Sequence, residues 1–168
     1  FVRELLQNAH DSIVRRRVGE PGHGGRVRIL PDPVAHRVTF VDDGVGLTAE
    51  EIHDYLSTIG RSGTGELRAS LAKGGAAAAQ LIGQFGIGLL SAFLVADRVD
   101  VHTRALGSDR AWRWHFDGGA TYELVPGDRA EVGTSVTLHL AEALCDRTKD
   151  ATGRSFSGIW FHRFTDLL

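Results

Sequence analysis

The order of helical and strand-like segments limits the fold of this chain more than any other feature of its sequence. Residues 1–17 carry apolar side chains at helical spacing, which predicts an amphipathic helix. Two strand-like runs, 27–30 and 38–41, follow and are joined by a turn at residues 31–33. Further strand-like runs lie in the second half of the chain, at residues 99–103, 111–116, 121–125 and 134–140. This order predicts an α+β two-layer sandwich, in which helices cover a mostly antiparallel sheet.

The segment between the two groups of strands is expected to hold further helices and a long loop. Thr48 and Glu51 form a capping-box pattern, which predicts a helix over residues 49–58. A second helix should follow Gly88. Residues 60–83 are rich in glycine, alanine and serine, and a segment of that length without periodicity is typical of a lid or binding loop.

Length and composition narrow the class of protein. The chain has 168 residues, of which 42% are hydrophobic and 24% charged, as expected for one globular domain. A net charge of −2 gives no electrostatic case for binding nucleic acid or an anionic membrane. The chain has no methionine and opens directly on a helical pattern, so we expect it to be a piece of a longer protein. We expect one domain over residues 1–140 and an unassigned tail without a clear element at 141–168.

A line of polar side chains runs along the opening helix. Glu4, Asn8, Asp11 and Arg15 occupy positions i, i+4, i+7 and i+11, so they share one face. One amide and two carboxylates on one face suit metal ligation and general-base chemistry. A solvated helix face is the alternative interpretation.

Two glycine-rich clusters offer further binding positions. The first lies at the end of a predicted strand and reads Val41-Asp42-Asp43-Gly44-Val45-Gly46-Leu47. A carboxylate there must find a donor, either a backbone N–H of the turn or the amino group of a base. The second runs into a predicted helix and reads Gly83-Gln84-Phe85-Gly86-Ile87-Gly88. Such a turn can bind phosphate through its backbone N–H groups, or it can simply begin the helix.

Together the three clusters resemble the GHKL ATPases, which have the Bergerat fold. Residues 1–12 are similar to the N box of that superfamily, residues 42–48 to its adenine-side glycine box, and residues 83–88 to its phosphate-side glycine box. Within the superfamily the chain most resembles the heat-shock protein 90 chaperones. That resemblance extends to residues 58–64, 91–97 and 133–140, and it covers residues 1–140 with gaps.

The resemblance implies roles for individual residues. Glu4 would be the catalytic general base, and Asn8 would coordinate the Mg²⁺ that bridges the phosphates of ATP. Asp42 would accept a hydrogen bond from the adenine amino group, with Gly46 and Thr134 around the base. The other cofactor-binding residues that the resemblance implies are Asp11, Arg15, Leu47, Arg61, Ser62, Gly83, Gln84, Phe85, Gly86, Ile87, Gly88 and Leu89. Arg15 and Arg61 stand where the family usually has lysine.

The same resemblance implies a function. It predicts the ATP-binding and ATP-hydrolysing domain of a cytoplasmic chaperone, whose lid at residues 60–83 closes over ATP. Its partners would be unfolded or partly folded client proteins and a second copy of the full-length protein, without nucleic acid or membrane. The alternatives are a GHKL ATPase of the mismatch-repair or topoisomerase type, and a regulatory module that binds nucleotide without turnover. We expect the chain alone to hydrolyse essentially no ATP, because the leading strand and helix of the family domain are missing.

Overall fold

One long helix and a six-stranded sheet form most of the part of the molecule that the structure describes. This computed structural model describes residues 1–54, 89, 92–93, 95–118 and 121–141, and the backbone alone of residues 147–149 and 155–157. The bounds are α1 (Val2–Gly19), β1 (Val27–Asp32), β2 (Arg37–Asp42), β3 (Ala96–Arg104), β4 (Ala111–Phe116), β5 (Glu123–Gly127) and β6 (Gly133–Leu140). All neighbouring strands of the sheet pair antiparallel. The predicted α+β class is confirmed, and the arrangement is consistent with the Bergerat fold.

The last long strand occupies the centre of the sheet, whose order is β1-β2-β6-β3-β4-β5. Thr134 of β6 lies opposite Asp42 of β2 on one side and opposite Thr103 of β3 on the other. Residues directly opposite one another in a sheet point to the same face. The three side chains therefore lie in one row on the buried face.

The core lies between the helical layer and one face of the sheet. Helix α1 buries Leu5, Ala9 and Ile13, which are spaced one turn apart. The core cluster consists of Leu5, Val38, Phe40, Ile52, Leu89, Ala92, Phe93, Ala96, Val99, Val101, Trp114, Phe116 and Leu138. No helix in the part of the chain that the structure describes is long and apolar enough to cross a membrane.

The predicted capping box is present at the start of the next helical segment. The Thr48 N–H donates to Glu51 Oε2 at 2.9 Å, and the Glu51 N–H donates to Thr48 Oγ1 at 3.2 Å. Residues 49–54 are helical. The remainder of that predicted helix, and the lid predicted at residues 60–83, lie outside the described residues. So does most of the helix predicted after residue 88.

Several predicted strand ends were wrong. The turn expected at residues 31–33 lies two residues later, because β1 continues through Pro31 to Asp32. β1 is an edge strand, where a residue without an N–H is tolerated. Asp32 Oδ1 then accepts the Ala35 N–H at 3.0 Å, which closes the turn. In the same way, β5 runs through Pro126 on the opposite edge and begins two residues later than expected.

The tail at residues 141–168, which the sequence left unassigned, contains two strands. Two short strands, β7 (Arg147–Lys149) and β8 (Ser155–Ser157), pair antiparallel as a separate two-stranded sheet. Strands of three residues are too short to produce a recognisable alternation of polar and apolar side chains. Sequence periodicity therefore could not find them.

The outer face of the sheet carries a carboxylate that joins three strands. Asp100 Oδ1 on β3 lies 2.5 Å from Nδ1 of His115 on β4, and Asp100 Oδ2 lies 2.7 Å from Nε2 of His139 on β6. Arg98 Nη2 donates to the same Oδ2 at 3.0 Å. Because an ionised carboxylate only accepts, each ring nitrogen that faces it carries a proton. Burial acts to raise the pKa of Asp100, but the bonds from His115, Arg98 and His139 outweigh it and lower this pKa to about 2.

We predict that Asp100→Asn lowers the free energy of unfolding near neutral pH by about 2 kcal/mol. The pKa of Asp100 in the folded state lies below the unfolded value of 3.8, so its contribution is present above about pH 4. That contribution is lost as the pH falls from about 4 to about 2. Denaturant unfolding of both proteins at neutral pH and near pH 2 measures the difference. A gap of the same size at both pH values would contradict this prediction, and exposed Asp109→Asn provides the matched control.

Candidate functional site

A cavity of about 340 Å³ opens between α1 and one end of the sheet. Its polar lining side chains among the described residues are Asn8, Asp11, Ser12, Arg15, Asp42 and Thr134. Its large apolar ones are Leu5, Phe40, Leu47, Leu89, Val101 and Val136. A concave apolar surface with a few convergent polar groups is typical of a site for a small organic ligand.

Asp42 is the buried acid of this cavity, with 8% of its surface exposed. Its Oδ1 accepts the Gly44 N–H at 2.9 Å and the Ser12 hydroxyl at 3.4 Å, and the Thr134 backbone N–H also hydrogen-bonds to the carboxyl. Burial raises the pKa of Asp42 by more than these donors and the nearby Arg129 charge lower it. A carboxylate has about four acceptor positions. Within the described part of the chain, these donors do not fill all of the acceptor positions, so the carboxylate can still accept from a ligand in the cavity.

Glycines allow the loop after β2 to pass closely between α1 and β3. A Cβ on Gly44 would collide with the Ser12 side chain, and a Cβ on Gly46 would collide with the Arg104 carbonyl oxygen. Gly46 also has a φ of 70°, in the left-handed region that favours glycine. Gly46 is not among the described lining residues of the cavity. Its contact with an adenine base stays a prediction, whereas its packing against the end of β3 is observed.

A buried hydroxyl that the sequence interpretation missed holds two lining residues in place. The Thr103 side chain is fully buried, and its Oγ1 accepts the Leu47 N–H at 2.9 Å. The same oxygen lies 3.0 Å from Thr134 Oγ1 and donates to the Gly133 carbonyl at 3.2 Å. No sequence signal marks this residue, because a threonine in a strand fits ordinary β propensity. Only the register of β3 with β6 reveals its position.

Ser12 was also missed as a site residue, although its spacing contained a signal. It lies one helical turn after Asn8, on the face of the predicted polar line. Its hydroxyl accepts the Val45 N–H at 3.1 Å and donates to Asp42. Ser12 therefore connects α1 to the loop that carries the buried acid.

The structure brings three of the four residues of the predicted polar line to the cavity. The Asn8 side chain is exposed there and makes no hydrogen bond with any other described residue. Asp11 Oδ1 accepts from Gln7 at 2.8 Å, and Arg15 donates to Glu51 Oε1 at 2.8 Å. The fourth residue, Glu4, is half-buried one turn before Asn8 and is not among the described lining residues.

The remaining predicted site residues divide into two groups. Leu89 is buried and lines the cavity, as do Leu47 and Thr134. Residues Arg61, Ser62 and 83–88 lie outside the described part of the chain, so their roles stay predictions. Within the described ranges, no three histidine, cysteine, aspartate or glutamate side chains come together to hold a metal ion.

Comparison with curated proteins identifies the family. The chain is 46% identical over 148 residues to the chaperone protein HtpG of Methylobacterium nodulans, a match that covers 83% of this chain and 24% of that protein. It is 41% identical over 155 residues to HtpG of Methylorubrum extorquens, covering 84% of this chain and 25% of that protein. It is 42% identical over 150 residues to HtpG of Mycobacterium tuberculosis, covering 83% of this chain and 23% of that protein. The chain belongs to the HtpG family of heat-shock protein 90 chaperones. No protein-family model matches it.

The family resemblance inferred from the sequence motifs is thereby confirmed. The chain spans about a quarter of the length of the curated HtpG relatives that it matches. The resemblance implies a lysine at position 15, where this chain has an arginine. The guanidinium of Arg15 donates to Glu51, the acid of the capping box. This ion pair joins α1 to the helix at residues 49–54.

We predict that Thr103→Val lowers the free energy of unfolding of this HtpG-family chain by about 1–3 kcal/mol. The substitution keeps the side-chain shape but removes the buried hydroxyl that accepts the half-buried Leu47 N–H. Thr39→Val is the matched control, because Thr39 is only half-buried and its hydroxyl meets Thr137 at 2.9 Å on the outer face. Chemical denaturation of the three proteins measures the effect, and equal losses in both variants would contradict a special role for Thr103.

Proposed function

We propose that this chain is the ATP-binding part of an HtpG-type chaperone and that ATP binds in the cavity beneath α1. The observation that supports this most strongly is the buried Asp42 carboxylate, which keeps an acceptor position towards a largely apolar cavity. A flat heterocycle with an amino group matches such a surface, because its ring is apolar and its amino group donates. Adenine has both properties.

The apolar wall and the acid would act together on the base. Leu47, Leu89 and Val136 offer surface for the ring to cover, which removes apolar area from water. Asp42 would then accept from the amino group, a bond strengthened by the charge of the acceptor. Because burial already raises the pKa of this carboxyl, a new donor offsets part of the cost of keeping it ionised.

The exposed amide of Asn8 is the group that we propose for Mg²⁺. Magnesium prefers oxygen ligands and keeps several waters, so one amide oxygen beside the phosphates of ATP is sufficient protein ligation. Bound Mg²⁺ would neutralise phosphate charge. We propose that the backbone of residues 83–88, together with Arg61 and Ser62, holds the phosphates, and that residues 60–83 close over them as a lid.

Turnover requires a base, and we propose Glu4 for that role. A carboxylate one helical turn from Asn8 would orient the attacking water and accept its proton. Glu4 is not among the described residues that line the cavity. That observation favours a second candidate function, a module that binds nucleotide without hydrolysing it.

At the level of the whole protein, we propose a chaperone that acts on unfolded or partly folded clients as a dimer in the cytoplasm. The support comes from the curated relatives, which are named chaperones. The same names lead us to favour a chaperone over a mismatch-repair or topoisomerase-type ATPase that acts on DNA.

We expect Asp42→Asn to weaken ATP binding about tenfold to a hundredfold, the equivalent of about 1–3 kcal/mol. An amide offers fewer acceptor positions and directs an additional donor at the base. Asp43→Asn is the matched control, since it changes the same charge at the next position, outside the described lining of this cavity. Calorimetric titration of ATP into both folded variants gives the answer. Unchanged affinity in Asp42→Asn would remove this residue from the site.

A second experiment separates binding from chemistry in a longer HtpG-type protein that carries this segment. Glu4→Ala should keep nucleotide affinity and reduce turnover about 10²–10⁴-fold, because a base acts on water and not on the bound nucleotide. Asn8→Ala should instead lose the Mg²⁺-dependent part of the affinity, and Val18→Ala, 84% exposed on the same helix, should change neither. Normal turnover in Glu4→Ala would place the base elsewhere. Nucleotide binding without turnover in the parent protein would favour the binding module.

A further inference from the structure

A second cavity, of about 480 Å³, lies beside the ends of β1 and β2, and its described lining includes four arginines and three acidic residues. We call it the arginine cavity and define it by Arg16, Arg26, Arg28, Arg129, His23 and Asp43. Among the described lining residues it shares only Asp42 with the candidate nucleotide site. Neither the family resemblance nor the proposed function uses it.

Two of the charged groups in this cavity already have partners and form its wall. Arg16 donates through Nε to Glu20 Oε2 at 2.8 Å and through Nη1 to the Asp43 carbonyl oxygen at 2.7 Å. The Asp43 carboxylate accepts the Arg26 backbone N–H at 2.6 Å and lies 3.1 Å from His23 Nε2. Burial acts to raise the pKa of Asp43, but these donors and the nearby positive charge lower it. The acid therefore stays ionised and engaged.

Three other guanidinium groups form no ion pair with a carboxylate of any residue that the structure describes. Arg129 donates to the backbone carbonyls of Glu131 at 3.0 Å and Asp42 at 3.3 Å, which hold its position without neutralising its charge. Within the residues that the structure describes, the guanidinium groups of Arg26 and Arg28 form no hydrogen bond or ion pair. Burial and the nearby Arg28 charge lower the pKa of Arg129 despite the attraction of Asp42 and Glu131.

Like charges that converge on one concave surface repel one another unless an anion lies between them. A guanidinium presents a planar fork of donors, which matches the oxygens of a phosphate group two at a time. Arg129 is held in place before any ligand arrives, so little conformational freedom is lost on binding. Glu131 also lines the cavity, and its carboxylate has no side-chain partner among the described residues. This residue is exposed to solvent.

We propose that the arginine cavity is a binding site for a phosphate-class polyanion, held by Arg28 and Arg129 with Arg26 beside them. The proposal does not depend on ATP binding beneath α1. A concave site with fixed donors suits a compact ligand such as pyrophosphate better than an extended acidic peptide.

The test is a titration of the ¹⁵N-labelled chain with sodium pyrophosphate in phosphate-free, magnesium-free buffer. Nuclear magnetic resonance should show saturable shifts of the Nε–H signals of Arg28 and Arg129 and of the neighbouring backbone amides. Orthophosphate, with fewer charges, should shift the same signals with weaker affinity. Citrate serves as a carboxylate ligand of comparable charge and should bind more weakly than pyrophosphate.

Variants make the assignment specific. Arg28→Ala should weaken pyrophosphate binding about tenfold. Arg28→Lys keeps the charge without the fork, so it should lie between Arg28→Ala and the parent, and it tests the site even if the alanine variant folds poorly. Glu131→Gln should strengthen binding by removing an opposing charge. Arg113→Ala, an exposed arginine on β4, removes an equal charge away from the cavity and should leave the affinity unchanged.

Three results would overturn the proposal. One is a set of shifts confined to Asn8, Leu47 and Thr134, which would place pyrophosphate beneath α1 instead. Another is equal weakening by Arg28→Ala and Arg113→Ala, which would indicate only general electrostatic attraction. The third is citrate binding as tight as that of pyrophosphate, which would point to carboxylates, including acidic peptides, as the preferred ligands.

Discussion

The burial of one carboxylate, that of Asp42, is the constraint on which the rest of the candidate site depends. A buried charge is costly unless donors surround it. The donors here come from three different places: the Gly44 N–H in the following loop, the Ser12 hydroxyl on α1, and the Thr134 N–H on β6. The acid is therefore satisfied only when helix, loop and central strand are all in place.

This arrangement couples the site to the topology of the sheet. The strand that supplies Thr134 follows Asp42 by about ninety residues in sequence, yet the two residues are direct partners. A contact at such separation costs loop-closure entropy, which the packing of the chain in between must repay. Thr103 extends the same row by one strand and fixes Leu47 through its N–H. The floor of the cavity thus depends on the pairing of β2, β6 and β3 and not on any local motif.

Local patterns in the sequence predicted local structure well. The spacing of apolar residues found α1, the Thr48 and Glu51 pair found the cap of the next helix, and alternation found the long strands. The errors arose where a strand passed through proline at an edge, as at Pro31, because alternation alone cannot show which strands are edges. The hairpin formed by β7 and β8 was missed because its strands are too short.

Prediction of the site shows the same limit. Helical spacing placed Asn8, Asp11 and Arg15 on the face that lines the cavity, because those neighbours are fixed by one helix. Thr103 and the pairing of Thr134 with Asp42 could not be predicted, since they depend on strand register across the sheet. Helical spacing also placed Glu4 on the same face, but Glu4 is not among the described residues that line the cavity. Helical spacing therefore predicts which side chains point the same way, but it does not predict how far along the helix a site extends.

Asp42 and Asp43 are adjacent and chemically identical, but strand register places their carboxylates in different environments. Burial raises the pKa of Asp42, whereas the donors supplied by Arg26 and His23 lower the pKa of Asp43. Asp42 lines both cavities, but Asp43 is found only among the residues of the arginine cavity. Side chains that follow one another at the end of a strand point in opposite directions, so one acid turns towards the core and the other towards cations. A shift of the register by one residue would exchange the two environments and would turn the buried apolar side chains of β2 to the outer face.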